Sequence, residues 1–494
     1  MSPNNINYPI TKSQYLNFTR CSNGFYLLNQ EMFQKSNVAH SGNLEWHDFE
    51  GLCSTYFDNQ ITISRSLSKE DQTKETKLAI EKRQCIFGGY FQSSNFSSYI
   101  ECLVPSPESN SWELYDFRPV SSNKLDIIRS LYFQKKLLES LDISIIDTKL
   151  IRINASYIFD KSPIDRDEYL IVESVTDRLT KESLRFENEW DLFLNYLENP
   201  IFPIHEDTHH TCRSPKSCYS KDVCFKEISD YEIFDLREGQ ELTKKFYLNG
   251  IKTFSEMPED ELSQIQLIQK RAHVNSEDYF DTVQLKTFFE GVSDKVAFLD
   301  FESINPILPM FPNSKPFQHI PFLYSLHIWD STSDTLIHHS YIHKPEDGDP
   351  RYNVINQLMK DIPKETTIFS FNDFFEKQII DDLVNLYAEH SELWTYMKPL
   401  FKDLALPFKK FWIYSPKQKG KASLKEILPA FSDISHIGLS IKEGQDANYQ
   451  YLRLLKKQVT LEEKIRVLED LETYCKMDTF GLFLLYKMLY EKLK

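Results

Sequence analysis

Two carboxylates set into an apolar strand constrain this chain more than any other feature of its sequence. In VAFLDFES, residues 296–303, side chains alternate with a period of two, so Asp300 and Glu302 leave the strand on the same face. Such a pair is a ready edge for a metal ion. Further on, LETYCKMDTFGLFLLYKML (residues 471–489) has helical periodicity, and its Tyr474 and Asp478, four apart, share a face. Between these segments FSFNDFFEKQIIDDL (residues 369–383) reads as a strand running into a helix, with Asn372, Asp373 and Glu376 at the junction. Hard cations such as Mg²⁺ or Mn²⁺ require oxygen ligands, and a pair of them activates a water and stabilises a leaving oxygen. Several converging carboxylates are what that chemistry needs.

At 494 residues the chain exceeds what a single hydrophobic core organises. Its 41% hydrophobic and 14% aromatic content supplies globular cores and excludes a disordered chain. The start lacks the pattern of a signal peptide, and no run approaches the roughly 18 apolar residues of a membrane span, so the expected location is cytoplasmic with no membrane partner. Eight cysteines in such a chain point to reduced thiols or metal ligands rather than a disulfide framework. A net charge of −16 excludes nonspecific coating of nucleic acid but leaves room for a local basic track.

Along the chain, residues 1–225 read as a mixed α/β domain with strands at 84–91, 99–104, 112–117 and 150–158 and a helix at 125–141. Residues 226–294 read as a charged helical connector punctuated at Asn249-Gly250, and the stretch around 247–258 is a candidate helix-hairpin-helix contact with DNA or simple packing. From 295 to 494 a second unit opens with strands at 297–301, 322–329 and 368–371 and continues mainly in helices, an α+β pattern, with the acidic stretch 344–350 a solvated loop. Within it, residues 398–425 carry eight lysines and one acid, interleaved with Phe401, Phe408, Phe411, Trp412 and Tyr414. Lysines that pair with phosphates beside aromatic faces that stack on bases suit a single strand, and Lys409, Lys410, Trp412, Lys417, Lys419, Lys421 and Lys425 are the expected contacts.

The D-x-E strand, the N-x-x-F-(D/E) junction and the Y-x-x-x-D helix, in that order, resemble the three exonuclease motifs of DnaQ-like DEDDy enzymes. The resemblance implies an RNase H-like fold and 3′→5′ exonuclease activity on DNA or RNA. It further implies that Asp300, Glu302, Glu376 and Asp478 bind Mg²⁺ or Mn²⁺ and that Tyr474 orients the attacking water. Glu376 replaces the usual aspartate, and Asp373 competes for the role.

In the first half, Cys212, Cys218 and Cys224 recur with five residues between neighbours, and Cys21 stands early and apart. Four thiolates can hold a 4Fe-4S cluster or Zn²⁺, and His205, His209 and His210 are further zinc donors. With the opening TKSQYLNFTRC, this arrangement resembles the iron-sulfur RecB-like nucleases, including those of CRISPR adaptation. That resemblance implies a PD-(D/E)XK restriction-endonuclease fold with the cluster on Cys21, Cys212, Cys218 and Cys224. It places the nuclease-like site at Glu101, Asp116 and Arg118, followed by Gln134 on a helix. Arg118 stands where the family carries a lysine and Glu101 where it carries an aspartate, so this domain is expected to bind DNA or cut weakly. His47 reads as a surface residue, and Cys53, Cys85, Cys102 and Cys475 as small core residues.

The whole chain thus resembles an uncharacterised bacterial family that joins these two domains, with further echoes at GKASLKEILPAF (residues 420–431) and GLSIKEGQDANYQYL (residues 438–452). Expected partners are single-stranded or 3′-ended DNA and proteins of a repair, defence or CRISPR-type complex. The competing expectation is a catalytically inactive nucleic-acid-binding scaffold.

Overall fold

The computed structural model describes residues 6–29, 41–160, 162–198, 200, 218, 224–225, 232–435 and 438–494, with the side chains of 41–43 left aside. The chain forms two compact α/β units. One comprises Met1–Val38, Glu45–Glu227 and Ile307–Phe317; the other comprises Ala39–Leu44, Ile228–Pro306 and Gln318–Lys494. Residues 228–294 therefore belong to the second unit. No helix among the described residues is long and apolar enough to cross a membrane.

The first unit is built on β1 (Ile10–Thr11), β2 (Ile61–Thr62), β3 (Ile86–Gln92), β4 (Phe96–Pro105), β5 (Trp112–Arg118), β6 (Ile145–Ile153) and β7 (Leu170–Ser174). They form one mixed sheet in the order β2-β3-β4-β5-β6-β7, with β1 alongside β4. Helix α1 (Lys12–Arg20) starts where Thr11 and Gln14 exchange side-chain and backbone hydrogen bonds in a capping box. Helix α2 (Leu125–Glu139) buries Ile128, Leu131, Phe133, Leu137 and Leu138 against the sheet, the spacing of one apolar helix face. The strand expected at 150–158 ends instead at Ile153. Asn154 Oδ1 accepts from Ser156 N at 3.1 Å and turns the chain away, a local hydrogen bond that competes with the strand ladder.

The second unit holds a five-stranded sheet of β9 (Lys295–Ile304), β10 (Ile320–Asp330), β11 (Thr335–Ile342), β12 (Thr367–Ser370) and β13 (Phe401–Asp403), in the order β11-β10-β9-β12-β13. The hairpin β9-β10-β11 is antiparallel, and β12 and β13 run parallel to β9. Sequence periodicity does not reveal the edge strand β11, whose TLIHHSYI has no fully buried residue and interrupts its apolar positions with two histidines and a serine. A two-residue ribbon pairs β8 (Tyr279–Phe280) with β14 (Ile413–Tyr414), which ties the expected connector to the basic segment.

Strand β9 lies at the centre, covered on both faces. Ala297, Leu299 and Phe301 join a core with Val354, Leu358, Ile379 and Leu383, the last two from α3 (Phe374–Leu386). Val296 and Phe298 face the opposite way, toward Leu482, Phe483 and Tyr486 of the long helix α5 (Leu461–Leu493). That helix is N-capped by Thr460, whose hydroxyl accepts from Glu463 N at 3.2 Å. A further helix, α4 (Gly444–Leu455), packs against β9 as well.

Candidate functional site

The apolar stripe of α5 includes Val467, Leu471, Tyr474, Cys475, Asp478, Leu482 and Leu485, at the alternating three- and four-residue steps of one buried face. Because Phe298 packs on Phe483 and Tyr486, the turns of α5 that hold Tyr474, Cys475 and Asp478 meet β9 further along, at Asp300 and Glu302. Cys475 Sγ donates to Asp300 Oδ2 at 3.4 Å. Ligand atoms of Asp300, Glu302 and Cys475 all lie within 4.8 Å of one another. The thiol is therefore more than the small core residue its apolar context suggests. Its place beside Asp300 depends on where α5 crosses the sheet, which spacing along the sequence does not encode.

Glu376 comes from the first turn of α3, where Asn372 in a left-handed conformation (φ 75°) turns the chain from strand into helix. Its neighbour Asp373 forms an ion pair with Lys377, whereas Glu376 is buried beside Asp300 and keeps Oε2 without a hydrogen-bond partner. Asp300, Glu302 and Asp478 front a cleft of about 480 Å³ that Tyr474, Ser303, Asn305, His319, Phe375 and residues of α4 also line.

The electrostatics of this cluster are those of buried carboxylates crowded together. Burial first, and then the charge of Asp478, pushes the Asp300 pKa well above the carboxylate range. Glu302 is raised by burial and by Asp300, with Lys425 opposing, and Glu376 by burial and Asp300. Burial and the neighbouring carboxylates also hold the Tyr474 hydroxyl and the Cys475 thiol protonated. A divalent ion would reverse every one of these shifts. The donor set fits Mg²⁺ or Mn²⁺: several carboxylate oxygens, one of them orphaned, beside a thiol that acts as a hydrogen-bond donor.

Behind the cluster, Thr479 fixes the rotation of α5. Its hydroxyl lies 2.7 Å from Ser325 Oγ and 2.8 Å from His327 Nδ1. Ser325 is the cross-strand partner of Asp300 and also meets His338 Nε2 at 2.9 Å. Burial pushes His327 down to about 3 and His338 to about 4, so both rings are neutral at neutral pH.

The basic segment differs from its sequence reading. Phe401, Phe408, Phe411 and Tyr414 are buried, and the half-buried Trp412 packs near Phe288, so these aromatic faces fill the core and are not laid out for bases. Lys410, Lys417, Lys419 and Lys421 are exposed, the last paired with Glu426. Lys409 donates to Asn372 Oδ1 at 3.0 Å, and Lys425 bonds the Lys442 carbonyl and lies over the Tyr474 ring.

In the first unit, the pairing of Cys102 with Tyr115 sets Glu101 beside Asp116 across β4 and β5. Asp116 is fully buried, and Arg118 holds it in a two-pronged contact, Nε to Oδ2 at 2.5 Å and an Nη to Oδ1 at 3.3 Å. Lys12 Nζ stands 3.8 Å from Asp116, and Arg65 bridges Glu101 at 3.0 Å and Glu50 at 3.2 Å. Lys12 and Arg65 arrive from other elements; Lys12 lies in the opening TKSQYLNFTRC, but no spacing in the sequence ties either residue to these acids. Gln134 donates to the Tyr99 carbonyl at 3.0 Å, toward the sheet. Each acid of this centre already has a cationic partner. A divalent ion on Asp116 does not fit while Arg118 holds both carboxylate oxygens.

Among the cysteines, Cys21 Sγ accepts from Gly24 N at 3.4 Å, and Asn23 Nδ2 lies 3.9 Å from Cys224 Sγ. Burial raises the Cys21 thiol, and the nearby Cys218 adds to the rise. Cys21 therefore lies near Cys218, and Asn23 near Cys224, but among the described residues these three thiols are not gathered within 4.8 Å of one another as the ligand atoms of Asp300, Glu302 and Cys475 are; Cys212, His205, His209 and His210 lie outside the described residues. Cys53 and Cys102 are buried, and His47 is exposed.

A family model described as a domain of unknown function, DUF2779, matches residues 297–423. The match includes Asp300, Glu302, Glu376 and most of the basic segment but stops before Tyr474 and Asp478. No curated protein and no solved structure matches the chain.

Proposed function

We propose that the second unit is an RNase H-like, DnaQ-type 3′→5′ exonuclease that trims DNA, or RNA, in a Mg²⁺- or Mn²⁺-dependent reaction. One observation carries the reading: Asp300, Glu302 and Asp478 line one cleft, and the buried Glu376, from a third element, stands beside Asp300 and adds to the repulsion. When bound there, divalent ions supply an activated water and stabilise the departing 3′ oxygen. Asp300, Glu302, Glu376 and Asp478 hold those ions. The Tyr474 hydroxyl, kept protonated, donates toward and orients the water, and Cys475 fixes the Asp300 carboxylate through its S–H. The water oxygen bonds to phosphorus as the P–O3′ bond breaks; the water's proton is lost to solvent, and the departing oxygen takes one up. A nucleoside 5′-monophosphate leaves, and the shortened strand ends in a new 3′-hydroxyl. Lys410, Lys417, Lys419 and Lys421 offer exposed positive charge for the strand's phosphates.

For the first unit, our reading is a RecB-like fold that binds DNA rather than cutting it efficiently. The pairing of Arg118 with Asp116 supports this. Cys21, Cys212, Cys218 and Cys224 would hold a 4Fe-4S cluster, with Zn²⁺ as its rival. A cytoplasmic repair, defence or CRISPR-type complex suits both activities.

The test is a 5′-labelled single strand incubated with Mg²⁺ or Mn²⁺. Wild-type protein should shorten it stepwise, EDTA should stop the reaction, and Asp478→Asn should abolish it. Binding of the strand without chelator-sensitive shortening under either metal would leave the inactive-scaffold reading in possession.

A further inference from the structure

Outside the chemistry of both acidic centres, the first unit sets two thiols side by side. Strands β3 and β4 are antiparallel, with Phe87 opposite Cys102. Cys85 precedes β3 by one residue, and the period of two puts its side chain on the face of Phe87, diagonally across from Cys102. The two Sγ atoms lie 3.7 Å apart and share a hydrogen bond. Cys102 is fully buried, whereas Cys85 is only half-buried.

A redox-active thiol needs a reachable sulfur that holds its proton weakly and a second sulfur close enough to resolve the first oxidation product. Cys85 meets the first demand. The hydrogen bond from Cys102 draws its pKa below the ordinary thiol value, while burial moves Cys21, Cys53 and Cys475 the other way. Cys102 meets the second. Burial, and then its bond to Cys85, keeps it protonated, so it is the later of the two to react. Closing 3.7 Å to the roughly 2.05 Å of a disulfide asks for about 1.6 Å of approach, shared between two side chains of which one, Cys85, stands outside the β3–β4 ladder.

We propose that Cys85 and Cys102 form a peroxide-responsive redox site, in which Cys85 is oxidised first and Cys102 resolves it as a disulfide. The Cys85 sulfur attacks one peroxide oxygen and the O–O bond breaks; the thiol proton joins the departing hydroxide as water, and Cys85 becomes a sulfenic acid. The Cys102 sulfur then attacks the Cys85 sulfur, the S–O bond breaks, and a second water leaves with the Cys102 proton. Two thiols and one hydrogen peroxide thus give one disulfide and two waters, and a thiol reductant restores the pair. Cys102 follows Glu101 and stands opposite Tyr115, the neighbour of Asp116, so the bond ties the start of β3 to β4 beside the acidic centre of the first unit. The proposal depends on neither nuclease reading.

Trypsin does not cut the Arg118–Pro119 bond, so it releases both cysteines on one peptide, residues 84–124, that has no other cysteine. The full chain is treated with hydrogen peroxide in the presence of a chelator, remaining thiols are alkylated under denaturing conditions, and the digest is analysed by mass spectrometry. The peptide should lose two hydrogens and escape alkylation at least about tenfold faster than Cys53 loses its thiol, and dithiothreitol should reverse the change. In Cys102→Ser the sulfenic acid has no resolving partner, and dimedone should trap it on Cys85. In Cys85→Ser, Cys102 should stay open to alkylation throughout. The wild-type peptide decides the matter even where a variant fails to fold. Oxidation of the pair no faster than Cys53, a disulfide from Cys85 to any other cysteine, or dimedone on Cys102 in preference to Cys85 would overturn the assignment.

Discussion

Replacing Asp300 by asparagine should make the metal-free protein more stable at neutral pH. With ligand atoms of Asp300 and Glu302 within 4.8 Å, two full charges at an effective dielectric of about 20 repel by about 3.5 kcal/mol. The raised pKa values of Asp300, Glu302 and Glu376 mean that the folded state relieves part of this by retaining protons, so the net gain should be about 1–3 kcal/mol. In a unit of this size that is a rise in Tm of roughly 5 °C. Because these folded-state pKa values lie above the unfolded ones, the stability they contribute is present at low pH and lost as pH rises through them. Metal-free wild type should therefore weaken with rising pH, and the variant less so. His327 and His338 act in the opposite sense: their constants are depressed, so their contribution is lost as pH falls from about 6.5 toward 4 and 3. Melting should accordingly be followed in EDTA at pH 7–9, where both rings are neutral. Cys475 can still donate to the asparagine carbonyl, which keeps the packing nearly constant. Mn²⁺ at a hundredfold excess over its Kd should add about 2.7 kcal/mol to the wild type and far less to the variant. A lower melting point for metal-free Asp300→Asn, or equal Mn²⁺ stabilisation of both proteins, would refute the idea that these carboxylates repel one another and bind the metal.

Arg118→Ala should open a site to Mn²⁺ that the wild type lacks. In an Asp300→Asn background, calorimetry should register binding only when Arg118 is gone, and strong binding with Arg118 present would show that the guanidinium yields its place. Changing Lys410, Lys417 and Lys421 together to glutamine should weaken binding of a single strand and reduce the slope of log K against log salt by about 2, or about 0.7 for each phosphate no longer neutralised; an unchanged slope would take the strand elsewhere. Anaerobically purified protein should absorb near 400 nm, and Cys21→Ala should reduce both this absorbance and the iron content. A colourless, zinc-loaded protein would decide for Zn²⁺.

Much of the second unit is legible in the sequence because its residues obey short-range periodicities. The period of two puts Asp300 and Glu302 on one face of β9, and the helical step puts Tyr474 and Asp478 on one face of α5. Asp373 and Glu376 are hard to tell apart in sequence, because both follow the same strand end; the i to i+4 pairing of Asp373 with Lys377 separates them in space. Cys475 is easily misread because a cysteine on an apolar stripe looks like filler until the crossing point of α5 is known. The lysine-rich segment misleads in the other direction. Its aromatic spacing resembles a stacking surface, yet those rings satisfy the larger demand of core burial, as Phe408 does against Phe431. Lys12 and Arg65 are missed for a different reason: they complete the Asp116 and Glu101 pairs from other elements, and although Lys12 sits in the opening TKSQYLNFTRC, no local spacing connects either residue to an acid that distant in the chain.

The two acidic centres begin from similar material, a pair of carboxylates carried by sheet strands and largely shielded from water, and differ in where the positive charge comes from. Buried anions are tolerated only with a compensating cation or a retained proton. In the first unit the protein supplies compensation itself: Arg118 takes both oxygens of Asp116, Lys12 stands behind it, and Arg65 takes Glu101. Association with a metal there must first break a buried ion pair, whose loss alone costs about 3–5 kcal/mol. In the second unit Lys425 acts on Glu302 while its Nζ bonds a backbone carbonyl, and the acids are left with raised constants and an orphaned oxygen. There a divalent ion displaces only protons that the carboxylates hold against their ordinary preference, and its binding relieves repulsion instead of creating it. The demand for imported charge, and with it the expected dependence of catalysis on metal, therefore falls on Asp300, Glu302, Glu376 and Asp478.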